Sequence, residues 1–297
     1  TKEMKLSILI PVYQENCIKL VSDLVNQTKR LSIDSEILVF DDCSPIKCED
    51  NRTLSDFERV TYRELEQNIG RSKIRNLLAD TASGDVLIFL DGDSGIVRED
   101  FIQKYIDAIQ TADVVRGGTT YCDKTQVKAG CELHWKYGSK VETNSSAKDP
   151  YRFTTNNFCI RKSVFSSLRF NEQMKGYGHE DTLFGIELKE RGFSLINIDN
   201  PVEHLGLKTF ACFMQSTANA IKNLLKLSSE KQYADFIGQL KLVKAYNKLH
   251  TYKMDKIYAA FFRISKPAML NLLAKHNPSL FVLDLYKLGL YCNCHKQ

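Results

Sequence analysis

The chain has 297 residues, with 41 Lys plus Arg against 36 Asp plus Glu, and 43% hydrophobic and 26% charged residues. That is an ordinary balance for a soluble globular chain long enough to bury a large core. No window approaches the roughly 18–20 uninterrupted apolar residues needed to cross a bilayer, which excludes a helical membrane span. The net charge of +5 hides an asymmetry: residues 208–297 hold 14 basic against 4 acidic side chains, and residues 1–207 hold 27 against 32. Opposite signs in two regions imply two tasks.

The opening TKEMKLSILIPVY reads as a strand behind a short leader, with Met4 as an internal start. Glu3 and Pro11 argue against the apolar stretch of a signal peptide, so a cytoplasmic location is expected rather than secretion. Nine cysteines stand at 17, 43, 48, 122, 131, 159, 212, 292 and 294. An odd, irregularly spaced set is not a disulfide framework, and reduced thiols serving as small hydrophobes are expected. Cys292-Asn293-Cys294-His295 lacks a second ligand pair, so a frayed tail is the plainer expectation than a metal site.

Leu6–Val12, Glu36–Phe40, Val60–Leu65 and Asp85–Leu90 read as strands, apolar over 4–7 residues as in sheets covered on both faces. Cys17–Leu31, Gly70–Ala82 and Glu99–Ile109 show apolar residues at helical spacing. Strand, helix, strand in this order predicts right-handed crossovers and a mostly parallel sheet sandwiched by helices. Further on, Phe153–Ile160 and Ser194–Ile198 read as strands and Asp181–Arg191 as a helix. From Lys208 the pattern is helical, with long stretches at Phe210–Leu227 and Tyr233–Leu249, and with Pro267 and Pro278 expected to break it. The expected division is therefore an α/β region over 1–207, with halves at about 1–118 and 119–207, and a basic helical region over 208–297.

In a parallel α/β sheet, ligands sit beyond the carboxyl ends of the strands. The polar clusters fall there: Pro11-Val12-Tyr13-Gln14-Glu15 after the first strand, Asp41-Asp42-Cys43-Ser44 after the second, Asp91-Gly92-Asp93 after the fourth. Two carboxylates one residue apart at the end of a buried strand repel each other unless a cation or polar ligand intervenes. Hard ions such as Mg²⁺ or Mn²⁺ suit such oxygens, typically with substrate phosphates as further ligands. The alternative is a solvated Asp-Gly turn. Asp41-Asp42 likewise fits either a nucleoside's imide and hydroxyls or a turn cap.

The run ILIPVYQEN, VFDDCS, NIGRSKIRN and LIFLDGD resembles the nucleotide-binding half of family 2 glycosyltransferases with the GT-A fold, over roughly residues 5–207. The resemblance implies a UDP-sugar donor. It places Pro11, Tyr13 and Asp42 at the uridine, and Gly70, Arg71 and Arg75 near base and diphosphate. Asp91 falls near the ribose and Asp93 on a Mn²⁺ or Mg²⁺ that bridges the diphosphate, with Glu15 and Gly92 counted among the donor-binding residues. Gly178-His179-Glu180-Asp181 resembles the family's acidic motif, implying Asp181 as catalytic base with Glu180 close behind; the plainer reading is a helix N-terminus favoured by acidic residues. His204, after the last strand, matches a histidine that completes the metal or diphosphate site. Asn156 and Asn157 could bond donor or acceptor hydroxyls, and Trp135 could stack on a sugar or simply pack.

The implied activity is inverting transfer of a sugar onto a hydroxyl of a saccharide or lipid-linked acceptor, in glycan or polysaccharide synthesis. Two other readings stand beside it. A nucleotidyltransferase normally carries a glycine-rich basic loop after the first strand, which is absent here. A non-catalytic nucleotide-sugar-binding protein would be expected to have lost some of Asp91, Asp93, Asp181 and His204. The basic helical region fits either peripheral contact with a membrane or a lysine-solvated subdomain. Nucleic acid is not an expected partner, because no motif accompanies the basic charge.

Overall fold

A computed structural model of the chain describes residues 4–143, 153–173 and 178–295; Thr1–Glu3 lie outside the described residues. The elements begin β1 (Leu6–Val12), α1 (Ile18–Thr28), β2 (Ser35–Asp41), β3 (Val60–Glu64), α2 (Arg71–Thr81), β4 (Val86–Leu90), β5 (Ser94–Ile96) and α3 (Phe101–Ala108). They continue β6 (Val114–Arg116), β7 (Thr119–Thr120), α4 (Glu132–Tyr137), β8 (Asn157–Arg161), α5 (Lys162–Ser167), α6 (Glu180–Glu190), β9 (Leu195–Asn197) and β10 (Val202–His204). Helices α7 (Phe210–Ser229), α8 (Ala234–Ile237), α9 (Lys241–Thr251), α10 (Asp255–Leu273) and α11 (Leu280–Cys294) complete the chain. Described residues within 1–122, 141–174 and 180–206 form one compact unit, and those within 123–140, 175–179 and 207–297 form another.

The α/β unit is built on a seven-stranded sheet of order β3-β2-β1-β4-β8-β6-β9. All neighbours are parallel except β8, which runs antiparallel to both β4 and β6. The apolar strands alternate between two cores, as a period of two requires when both faces are covered. Ile8, Ile10, Ile88 and Leu90 face a layer that includes Leu20, Leu24, Phe101 and Tyr105 of α1 and α3. Leu9, Leu87 and Phe89 face the other way, against Ile74, Leu78, Phe165 and Phe184 of α2, α5 and α6. In that second core Phe89 stacks on Phe158 at 4.7 Å and Phe170 on Phe184 at 4.5 Å. Burying each such ring contributes about 1.5–3 kcal/mol. A second, three-stranded sheet, β5-β10-β7, sets His204 opposite Ser94.

The strand expected from Phe153 begins only at Asn157. The carbonyl of Asn156 accepts from the Asp91 amide at 3.1 Å, one pair beyond the β4–β8 register, while its side chain donates to Thr119 Oγ1 at 2.8 Å.

In the helical unit, Leu133, Phe213, Met214, Phe262, Met269, Leu273, Leu283 and Tyr286 form the core. Thr209 and Ser279 accept from Cys212 and Val282 amides and so cap α7 and α11. The stretch expected from Tyr233 to Leu249 is broken between α8 and α9, around Gly238. Pro278 lies outside a helix as expected, whereas Pro267 sits inside α10. Loss of one backbone donor there is outweighed by burial on either side, at Phe262, Met269 and Leu273. Among the described residues the nine cysteines form no disulfide. Among the described residues no helix is long and apolar enough to cross a membrane.

Candidate active site

The loops that follow β1, β2 and β4 meet in a cleft of about 120 Å³, lined by Pro11, Val12, Tyr13, Glu15, Asp42, Arg71, Ile74, Arg75, Asp91, Gly92 and Asp93. The first two loops are locked together. Ser44 Oγ donates to Asp41 Oδ2 at 2.8 Å and accepts the Gln14 amide at 2.7 Å, while the Ser44 amide donates to Asp41 Oδ1. Asp41 is thus a structural clasp. Asp42 accepts from the Ile69 and Gly70 amides at 2.7 and 2.8 Å, so it fixes the entry to α2 while its side chain lines the cleft. Burial pushes its carboxyl above the ordinary aspartate range, and the two amide bonds only partly offset that. Asn51 steadies the next stretch, donating to the Glu15 carbonyl at 2.8 Å and accepting from the Cys17 amide at 2.9 Å.

The two carboxylates after β4 have different surroundings. Asp91 Oδ1 is held by Arg75 Nη2 at 2.5 Å, with the guanidinium buried against Phe170. Asp93 Oδ2 lies 3.5 Å from His204 Nδ1, brought there by the β5–β10 pairing and by the Leu205 amide donating to the Asp93 carbonyl at 2.8 Å. Asp93 Oδ1 is buried with no hydrogen-bond partner. Burial raises the Asp93 carboxyl's pKa, with His204 acting against this and Asp91 adding to it. Glu15 is raised too, by burial and then by Asp93. An unpartnered buried carboxylate oxygen beside an imidazole is a pair of donors that a hard cation fits. Among the described residues no three such groups form a metal cage by themselves, so the remaining ligands would come from substrate and water.

At the start of α6, Glu180 is buried and its carboxylate lies 4.0 Å from Arg71 Nη1. Asp181 Oδ1 accepts from its neighbour's Thr182 amide at 2.7 Å. Burial, and then repulsion from Glu180, lifts the Asp181 carboxyl to about 7. A carboxylate poised there can take a proton at neutral pH.

The family model for glycosyl transferase family 2 matches residues 7–169, more than half of the chain. The chain belongs to this family. Solved structures bear out the GT-A fold: a mannosyltransferase from Pyrobaculum calidifontis in complex with GDP-Man and Mn²⁺ aligns at TM-score 0.58 and 11% identity, over 98% of this chain and 88% of that one. S. aureus TarS aligns at TM-score 0.50 and 17% identity, over 99% and 92%. The same protein in complex with UDP aligns at 0.50 and 18%. No curated protein matches in sequence.

Several residues of this glycosyltransferase escape a reading by motif. Gly206 is one: a Cβ there would lie 2.1 Å from Asp93 Oδ2, so only glycine lets the segment after His204 close over the carboxylate. Asn51, Ser44 and Cys17 shape the loops without a sequence signal; Cys17 Sγ meets the Gly92 carbonyl at 3.5 Å. Asn157, by contrast, is fully engaged in structure. Its amide accepts from Tyr105 and donates to the Gly118 and Asn200 carbonyls, and it is 1% exposed. Trp135 lines a separate cleft within the helical unit, beside Glu132, Lys136 and Pro278.

Proposed function

We propose that this enzyme transfers a hexose from a UDP-sugar to a hydroxyl of a saccharide or lipid-linked acceptor, with inversion and with help from Mn²⁺ or Mg²⁺, in glycan or polysaccharide synthesis. The observation that carries the reading is the buried, unpartnered Asp93 oxygen beside His204 at the mouth of a cleft closed by three strand-end loops. Pro11, Tyr13 and Asp42 would receive the uridine, Asp91 the ribose, and Gly70, Arg71 and Arg75 the base and diphosphate side, with Glu15 and Gly92 lining the same donor cleft. Asp93 and His204 would hold the cation, whose chemistry is to neutralise charge on the departing diphosphate. That one structural neighbour holds UDP and another GDP-Man with Mn²⁺ supports a nucleoside diphosphate donor.

In the reaction the acceptor oxygen forms a bond to the anomeric carbon as that carbon's bond to the diphosphate oxygen breaks. The acceptor's proton passes to the Asp181 carboxylate, with Glu180 holding Arg71 alongside. Inversion follows from a single displacement on the face opposite the leaving group. A lipid-linked acceptor would bring the enzyme to the cytoplasmic face of a membrane, and the basic helical unit is the part suited to that contact.

Calorimetric titration of UDP with and without Mn²⁺ tests the donor site. Micromolar, Mn²⁺-dependent binding that Asp93→Asn abolishes is expected. Absence of UDP binding under every metal condition, with GDP binding instead, would replace the uridine assignment.

A further inference from the structure

Helix α10 has two apolar faces, and only one of them is covered. Phe262, Met269 and Leu273 point into the helical core. Ile257, Phe261, Ile264 and Leu272 recur at spacings of four, three and eight on the opposite side, with exposures of 65, 55, 83 and 43%. Residues three, four, seven or eight apart share a helix face, so the four form one outward stripe. Met254, at the N-cap, and Tyr252 before it extend the exposed apolar surface. Isolated exposed hydrophobics need no explanation, but a continuous stripe does.

The exposed charges that α10 and its flanks offer there are of one sign: Lys253, Lys256, Arg263 and Lys275. The one acid of the helix, Asp255, is turned away and paired with His250 at 3.6 Å. An apolar strip edged by lysine and arginine alone is complementary to a surface that is apolar below and anionic above. A helix of this kind lies in the interface plane and does not span it.

We propose that the outward face of α10 docks the enzyme on anionic lipid, with Phe261 and Ile264 entering the acyl boundary and the basic side chains meeting phosphate headgroups. The inference deepens the peripheral-membrane part of the function proposed above, yet assumes nothing about donor or reaction.

Sedimentation of the full chain with vesicles decides it. Binding is expected to phosphatidylcholine vesicles containing phosphatidylglycerol, not to phosphatidylcholine alone, and to weaken in high salt as exposed charges are screened. Phe261→Ser with Ile264→Ser should cut the partition by at least about tenfold, given what two large side chains gain on burial. Lys256→Glu with Arg263→Glu should cost on the order of tenfold or more. Ile264→Asp alone touches no core residue and guards against misfolding in the double variant. UDP titration should be unchanged in all of them, so a failure of the donor site and a failure of lipid docking read out separately. No binding to anionic vesicles would overturn the proposal, as would binding indifferent to these substitutions. A wild-type dimer that the Ile264→Asp variant splits would instead assign the face to a second copy of the chain.

Discussion

Among the described residues, the α/β unit leaves four large apolar side chains exposed, Tyr13, Ile46, Val97 and Leu205, whereas the helical unit leaves seven, four of them on a single helix. Polar groups show the reverse arrangement. The α/β unit draws Asp42, Glu15 and Asp93 into a cleft where burial raises each carboxyl. Helical residues 208–297 keep a charge excess of +10, and the lysines and arginine of α10 are exposed. The first arrangement is costly without a small charged ligand and its cation, and the second is costly without a broad partner. On the function and the docking face proposed above, the same chain would carry two recognition modes, one inward and electrostatic, the other outward and amphipathic.

The sharpest break in the comparison should come from removing the proposed base. Asp181→Asn keeps the shape but cannot accept the acceptor's proton, so turnover should fall by about 10²–10⁴-fold. UDP affinity should stay as in the wild type, because the loss lies in the chemical step. Retention of the rate would transfer the role to Glu180.

A milder change should touch only the helical unit. Gly289 of α11 faces Phe262, and a Cβ there would lie 2.1 Å from Cδ2 of a ring that is 1% exposed. Gly289→Ala must push two helices apart and should lower stability by about 1–3 kcal/mol, seen as a lower urea midpoint. With the nucleotide titration unchanged, the donor cleft would be shown to need only the α/β unit. An unchanged midpoint would mean that α10 and α11 repack at no cost.

How much of this could be read from the chain depended on how local the signal was. β4 is legible because five consecutive buried residues, Val86–Leu90, run straight into Asp91-Gly92-Asp93. Here the apolar run and the polar stop are both contiguous. His204 was recognisable by position, but what brings it to Asp93 is a pairing between β5 and β10 about a hundred residues apart, which no local pattern encodes. Gly206 carries no signal at all, because its importance is the absence of a Cβ beside a carboxylate distant in sequence. Pro267 misleads for the same reason. Its local rule is sound, but the burial of Phe262 and Met269 on either side decides the outcome. Asp42 was legible as a residue of the strand-end cleft, but not as the group that also pins the Ile69 and Gly70 amides.

The smallest effect is the one that tests electrostatics most closely. With the Asp181 carboxyl at about 7, the rate should climb with pH up to that point and level off above it, because the protonated form cannot accept a proton. For stability the same shift acts in the opposite sense: the fold favours the neutral carboxyl, so that contribution is complete in acid and is lost as pH rises through about 7. Burial is the larger cause of the shift and the Glu180 charge the second. Glu180→Gln removes only the second, while the Arg75 cation, which already opposes the shift, stays in place. The midpoint of the rate profile should therefore move to lower pH while staying above the ordinary aspartate range, with the plateau rate kept within about tenfold. A profile that does not move at all would show that some other group titrates. Collapse of the plateau alongside a tolerated Asp181→Asn would make Glu180 the base, since the two carboxylates then differ only in which one reaches the acceptor.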